Sequence, residues 1–137
     1  MTRYARYAHA ILAWLFVGTI LLQVFFAGMF IFGQEDFRKT HIGFGYSIVG
    51  LAALLLLISA ALARAGRRQV GMAALVFVLY MIQTSLPEAK ASYPVIAALH
   101  PVNALLLFGL GVVVARQATA LARETPAAAE SVPSEAS

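Results

Sequence analysis

The sequence predicts an all-α integral membrane protein folded as a four-helix up-down-up-down bundle. Three observations predict it. Of 137 residues, 61% are hydrophobic and only 12% are charged, against about 25% charged in ordinary soluble domains. The apolar residues form four runs, each close to the roughly 20 residues a membrane-spanning helix needs. The arginines and lysines gather in the breaks between runs and at the chain ends.

The first run, 8–32, is too long for a signal-peptide core and has no small-x-small cleavage site after it, so it reads as a retained anchor. The break GQEDFRKT leads to the second run, 41–63, and ARAGRRQ leads to the third, 70–86. PEAKASYP precedes the fourth, 95–115, with Pro94 suited to a first helical position. Pro101 has no N–H, so it releases the Ala97 carbonyl and predicts a kink there. Links this short force antiparallel neighbours. The bundle is expected over residues 1–120. Residues 121–137, rich in Pro, Ala, Ser and Glu, are expected to form a disordered cytoplasmic tail.

Charge sets the orientation. One side holds Arg3, Arg6, Arg64, Arg67, Arg68, Arg116 and Arg123; the other holds Arg38, Lys39 and Lys90. The positive-inside bias then puts both termini in the cytoplasm, in a bacterial inner membrane. The net charge of +4 follows the same pattern, so the partner it implies is the lipid bilayer and not nucleic acid. With no cysteine, the chain has no disulfide, no thiolate metal site, no thiol nucleophile and no covalent haem attachment.

The polar residues inside the runs carry the functional question. Superimposing His41 on His100 is a shift of 59; it also places Gly50 on Gly109 and Gly45 on Ala104. Upstream, Gln23 matches Gln83 at a shift of 60. The repeated unit is helix, Gln, outer loop, helix, His, which implies two duplicated hairpins. His41 and His100 then lie at one depth on opposite sides of a central space. With Glu35 taken as the start of span two, each histidine follows its helix start by six residues, roughly 9 Å. His9, near Arg3 and Arg6, reads as interfacial.

An ionisable side chain at membrane depth is a functional hypothesis by default. The competing reading is that each histidine bonds a neighbouring helix and holds the bundle together. A paired arrangement suits one haem b, because neutral imidazole ligates iron and two opposed rings fill both axial positions. His41 and His100 are the expected metal ligands. Gly45 and Ala104, one turn on, would leave room for the macrocycle edge, and Gly28 and Gly43 add local thinness. Asn103 offers either a hydrogen bond to a ligand imidazole or an interhelical bond. Arg38 and Lys39, with Lys90 and Tyr93 opposite, suit haem propionates or ordinary interfacial anchoring.

The stretches QVFFAGM, HIGFGY and QTSLPEAKASYPVIAALHPVNALLLF resemble haem A synthase. That family has two four-helix halves, each holding a haem between histidines on its second and fourth helices near the outer face. The resemblance covers about residues 10 to 116 and implies haem ligation by His41 and His100. This chain matches one half only. Arg38 stands where the catalytic half carries a glutamate, and the outer-loop cysteines of many members are absent. The resemblance therefore implies haem binding and not oxidation of a haem side chain. The chain is also similar to small four-span bacterial membrane proteins, from which no activity can be borrowed.

The first functional expectation is a small b-type cytochrome for electron transfer or haem handling, working with a redox partner or a quinone. No catalytic residue is assigned. The second is a cofactor-free accessory subunit or small transporter; the absence of Asp and Glu within the runs weakens ion-coupled transport. The third is a copper or zinc site, where a homodimer would supply the four ligands that structural zinc usually takes.

Overall fold

A computed structural model describes residues 2–124. Among the described residues every regular element is helical. Four helical segments are long and apolar enough to cross a membrane: Arg3–Ile31, Phe37–Leu62, Gly66–Ala91 and Pro94–Arg123. The chain is a multi-pass membrane protein. A helix satisfies each backbone N–H and C=O within its own segment, which lipid cannot do.

In chain order, α1 is Thr2–Ile31, α2 is Phe37–Phe44, and a π-helical turn over Gly45–Val49 joins α2 to α3, Gly50–Leu62. Next come α4, Gly66–Ser85, a 3₁₀ turn over Leu86–Ala91, α5, Pro94–Ala97, and α6, Leu99–Arg123. The break between α5 and α6 is at Ala98, beside the Ala97 carbonyl that Pro101 cannot serve, so the helix is interrupted where the sequence predicts a kink.

The helices outrun the apolar runs at the arginine-rich end, where interfacial side chains reach water and the backbone stays paired. The tail expected from 121 thus begins as helix, through Arg123; residues 125–137 lie outside the described residues. Span two starts at Phe37 and not at Glu35. Glu35 and Asp36 form a turn instead, with the Phe37 N–H on the Gln34 carbonyl and the Arg38 N–H on that of Glu35.

Helix α1 packs against α3 and α6, and α4 packs against the same two. Contacts join the start of one helix to the end of its neighbour. Arg6 meets the Leu121 carbonyl at 3.3 Å and Glu124 at 3.5 Å, and His9 meets Ser59. Neighbours therefore run in opposite directions. Phe16, Leu56, Val76, Leu107 and Val114 are fully buried and fill the middle. Leu21, Phe25, Leu55, Ile58, Val78 and Leu105 are exposed on the outside, as lipid-facing positions are. The α3 helix ends in a Schellman cap. The Arg64 N–H reaches Ala61 and the Ala65 N–H reaches Ala60, with Arg64 left-handed at φ 52°.

Two glycines permit close helix approach. At Gly111 the Phe16 ring lies against the backbone, and at Gly50 the Tyr80 ring does. The Tyr80 hydroxyl donates to the Tyr46 carbonyl inside the π turn at 3.2 Å. Gly109, the repeat match of Gly50, has nothing within 4 Å of its absent Cβ, so that match has no packing equivalent. Gly50→Ala is expected to destabilise the protein by about 1–3 kcal/mol through overpacking. Gly109→Ala should be neutral or slightly stabilising. Thermal unfolding in detergent separates them, and equal shifts would show that the Tyr80 contact does not matter.

Candidate functional site

The two Gln–His units converge at the end of the bundle opposite Arg6, Arg64, Arg67, Arg68 and Arg123. The His41 and His100 rings lie side by side, with centroids 6.2 Å apart and planes at 70°. The two imidazoles are therefore neighbours, without the central space expected between them.

Each unit makes the same hydrogen bonds. His41 Nδ1 donates to the Gln23 carbonyl at 3.1 Å, and His100 Nδ1 donates to the Gln83 carbonyl at 3.0 Å. A carbonyl only accepts, so both nitrogens carry their proton and both Nε2 atoms present a lone pair. Each lone pair faces the side-chain amide of the same glutamine, at 3.3 Å in both units. Second partners fix which amide atom is nitrogen. Gln23 Nε2 also donates to the His41 carbonyl at 2.9 Å, while Gln83 Oε1 accepts from Asn103 Nδ2 at 2.8 Å. The glutamines were legible as part of the repeat, but not as the side chains that hold the rings.

The units differ around this shared pattern. Asn103 is buried and also donates to the Leu79 carbonyl at 2.9 Å, so it makes the interhelical bond and does not touch an imidazole. It reaches His100 only by locking Gln83. The position equivalent to Asn103 at a shift of 59 is Phe44, and Gln23 Oε1 is buried with no partner among the described residues. Gly45 admits the Gln23 amide: an added Cβ would lie 2.7 Å from Gln23 Nε2. The space read as room for a macrocycle edge is filled by that side chain here. Four residues beyond His41 the π turn begins at Gly45; it widens the helix by one residue, a feature frequent at functional sites.

The remaining expected site residues are more loosely placed. Ala104 is half-buried one turn beyond His100. Arg38 and Lys39 are exposed in the first turn of α2 and form no ion pair among the described residues. Gly28 and Gly43 border open space and no close helix contact. No group of three or more His, Cys, Asp or Glu side chains is placed to hold a metal ion among the described residues.

The structure overturns the interfacial reading of His9, which is fully buried. The Ser59 hydroxyl donates to the Leu56 carbonyl at 3.0 Å and therefore accepts from His9 Nδ1, 2.9 Å away. Gln69 Nε2 donates to His9 Nε2 at 3.1 Å. Three helices are tied through one ring. A signal was present in the sequence: Ser59 and Gln69 are polar and lie near the same end of their runs as His9. Between this cluster and the paired histidines lies the apolar layer of Phe16, Leu56, Val76 and Leu107.

Residues 23–89 match a family of unknown function, DUF6220. The matched stretch includes Gln23, His41 and Gln83 and stops before His100. No curated protein and no solved structure matches the chain.

Proposed function

We propose that the protein is a small membrane b-type cytochrome that holds one haem b between His41 and His100, for electron transfer or haem handling. The observation that carries this reading is the pair itself: two neutral imidazoles, each anchored through Nδ1–H to a carbonyl, with 6.2 Å between ring centroids. Anchoring of Nδ1 by a carbonyl is the usual support of a metal-bound histidine. His41 and His100 would be the residues that hold the haem iron, once the glutamine amides over their Nε2 atoms are displaced. The resemblance of residues 10 to 116 to one half of haem A synthase supports the same assignment.

When bound, a haem held by His41 and His100 would supply a one-electron couple. The chain's own part is to hold and shield. The Gln23 and Gln83 carbonyls fix the tautomer and ring orientation. Their amides cover both Nε2 atoms and must swing away for ligation. Arg38 and Lys39, exposed at the same end, would meet propionates. The donor or acceptor is a redox protein or a quinone reaching this end, and both termini lie in the cytoplasm of a bacterial inner membrane. The arginines gathered at the far end support that orientation.

A second reading rests on the same amides. Both Nε2 atoms already have a hydrogen-bond partner, as they would in a cofactor-free accessory subunit or small transporter whose histidines only join helices. A reduced-minus-oxidised spectrum of protein purified with haem supplied decides between the two. The sharp α band of a six-coordinate low-spin b-type haem is expected, and colourless protein overturns the haem reading.

A further inference from the structure

The turn between α3 and α4 carries a separate feature, independent of the histidines. It presents a shallow hollow lined by Arg64, Ala65, Gly66, Arg67, Val70 and Gly71. Its walls are mostly apolar, with two arginines at the rim. Gly66 and Gly71 leave it open, since nothing lies within 4 Å of where their Cβ atoms would be. Neither arginine forms an ion pair among the described residues. A second hollow shares Ala65, Gly66 and Arg67 with the first and adds Arg68 and Glu124, whose carboxylate already pairs with Arg6. The hollow that includes Arg64 has no carboxylate in its lining, so an anion is favoured there.

We propose that the hollow flanked by Arg64 and Arg67 seats the phosphate headgroup of an anionic phospholipid from the leaflet at that end of the bundle. Two guanidinium groups offer the paired N–H donors that match phosphate oxygens. Val70, half-buried in the first turns of α4, gives the hollow an apolar wall that suits the glycerol and upper acyl chain. A free phosphate ion would gain nothing from that wall. Basic hollows between spanning helices bind anionic headgroups elsewhere by the same physics.

The test uses the full-length protein in mixed micelles, titrated with phosphatidylglycerol or phosphatidylcholine, with bound lipid counted by native mass spectrometry. Retained phosphatidylglycerol and no retained phosphatidylcholine are expected. The R64Q/R67Q variant should lose roughly tenfold or more in affinity, because each basic residue at the surface is worth about a factor of five. R116Q/R123Q removes the same charge outside the hollow and should change binding less than about twofold. R64K/R67K keeps the charge without the paired donors and should give an intermediate loss, which keeps the test decisive if the Gln variant does not fold. The proposal is overturned by equal losses in R64Q/R67Q and R116Q/R123Q, by unchanged affinity in R64K/R67K, by no preference between the two lipids, or by displacement with excess inorganic phosphate.

Discussion

His100→Ala and His41→Ala are each expected to abolish the low-spin haem spectrum, while Gln83→Ala and Gln23→Ala keep it. The difference follows from which atoms each change removes. On the haem reading, either alanine at a histidine deletes one of the two proposed ligand nitrogens and leaves a single imidazole to hold the group. An alanine at either glutamine deletes only the amide over Nε2. The main-chain carbonyl that anchors Nδ1 remains, at 3.0–3.1 Å in the parent protein. Removing a competitor for the lone pair should leave haem content equal or higher at limiting haem. The cofactor-free reading predicts a different order: all four variants are colourless like the parent, and the glutamine variants destabilise the bundle about as much as the histidine ones. Haem content per protein and thermal unfolding, measured on all four, give opposite rankings under the two readings. The asymmetry between units adds a finer expectation. Gln83 is locked by Asn103, whereas Gln23 Oε1 has no partner, so Gln83→Ala should raise loading more than Gln23→Ala.

His9→Ala is expected to cost roughly 2–3 kcal/mol of stability. Two interhelical hydrogen bonds are lost, at about 0.6 kcal/mol each by measurements in a membrane bundle. The cavity left by a fully buried ring adds a further ~1–2 kcal/mol, toward the low end of large-to-small substitutions. His9→Gln should recover part of this by keeping a donor and an acceptor. The haem spectrum should not change in either variant, because the apolar layer of Phe16, Leu56, Val76 and Leu107 separates His9 from the paired histidines. Unfolding of the purified variants in detergent, with the spectrum recorded alongside, tests both statements. A stability equal to the parent's would mean that the His9 network is not structural, and an altered spectrum would mean that the two ends communicate.

Much of the architecture was legible because the bilayer imposes simple rules. Four apolar runs, short links and a chain end rich in arginine dictate four antiparallel helices, since only internally paired backbone survives in lipid. The repeat of Gln23 and His41 in Gln83 and His100 was legible as residue order at nearly equal spacing. It returns as matching hydrogen bonds. Sequence also places Pro101 where the Ala97 carbonyl goes unserved, and α6 starts anew just beyond it.

Other features depend on facing surfaces, which no single run encodes. His9 stands beside arginines in sequence but inside the bundle in space, because Ser59 and Gln69 arrive from two other helices. Gly45 looked like free room but receives the Gln23 amide, and Asn103 turns to Gln83 and Leu79 and away from the ring. Gly50 and Gly109 match in sequence but only Gly50 meets a neighbour, since Tyr80 comes from α4. The sequence by itself determined a four-span membrane protein with two related Gln–His units. Tertiary structure alone decided that His41 and His100 stand 6.2 Å apart with their Nε2 lone pairs under glutamine amides, and that His9 is buried. The reason is physical: hydrophobic patterning and backbone pairing act along one chain segment, whereas the partner of a polar side chain is set by which helix rotates toward it.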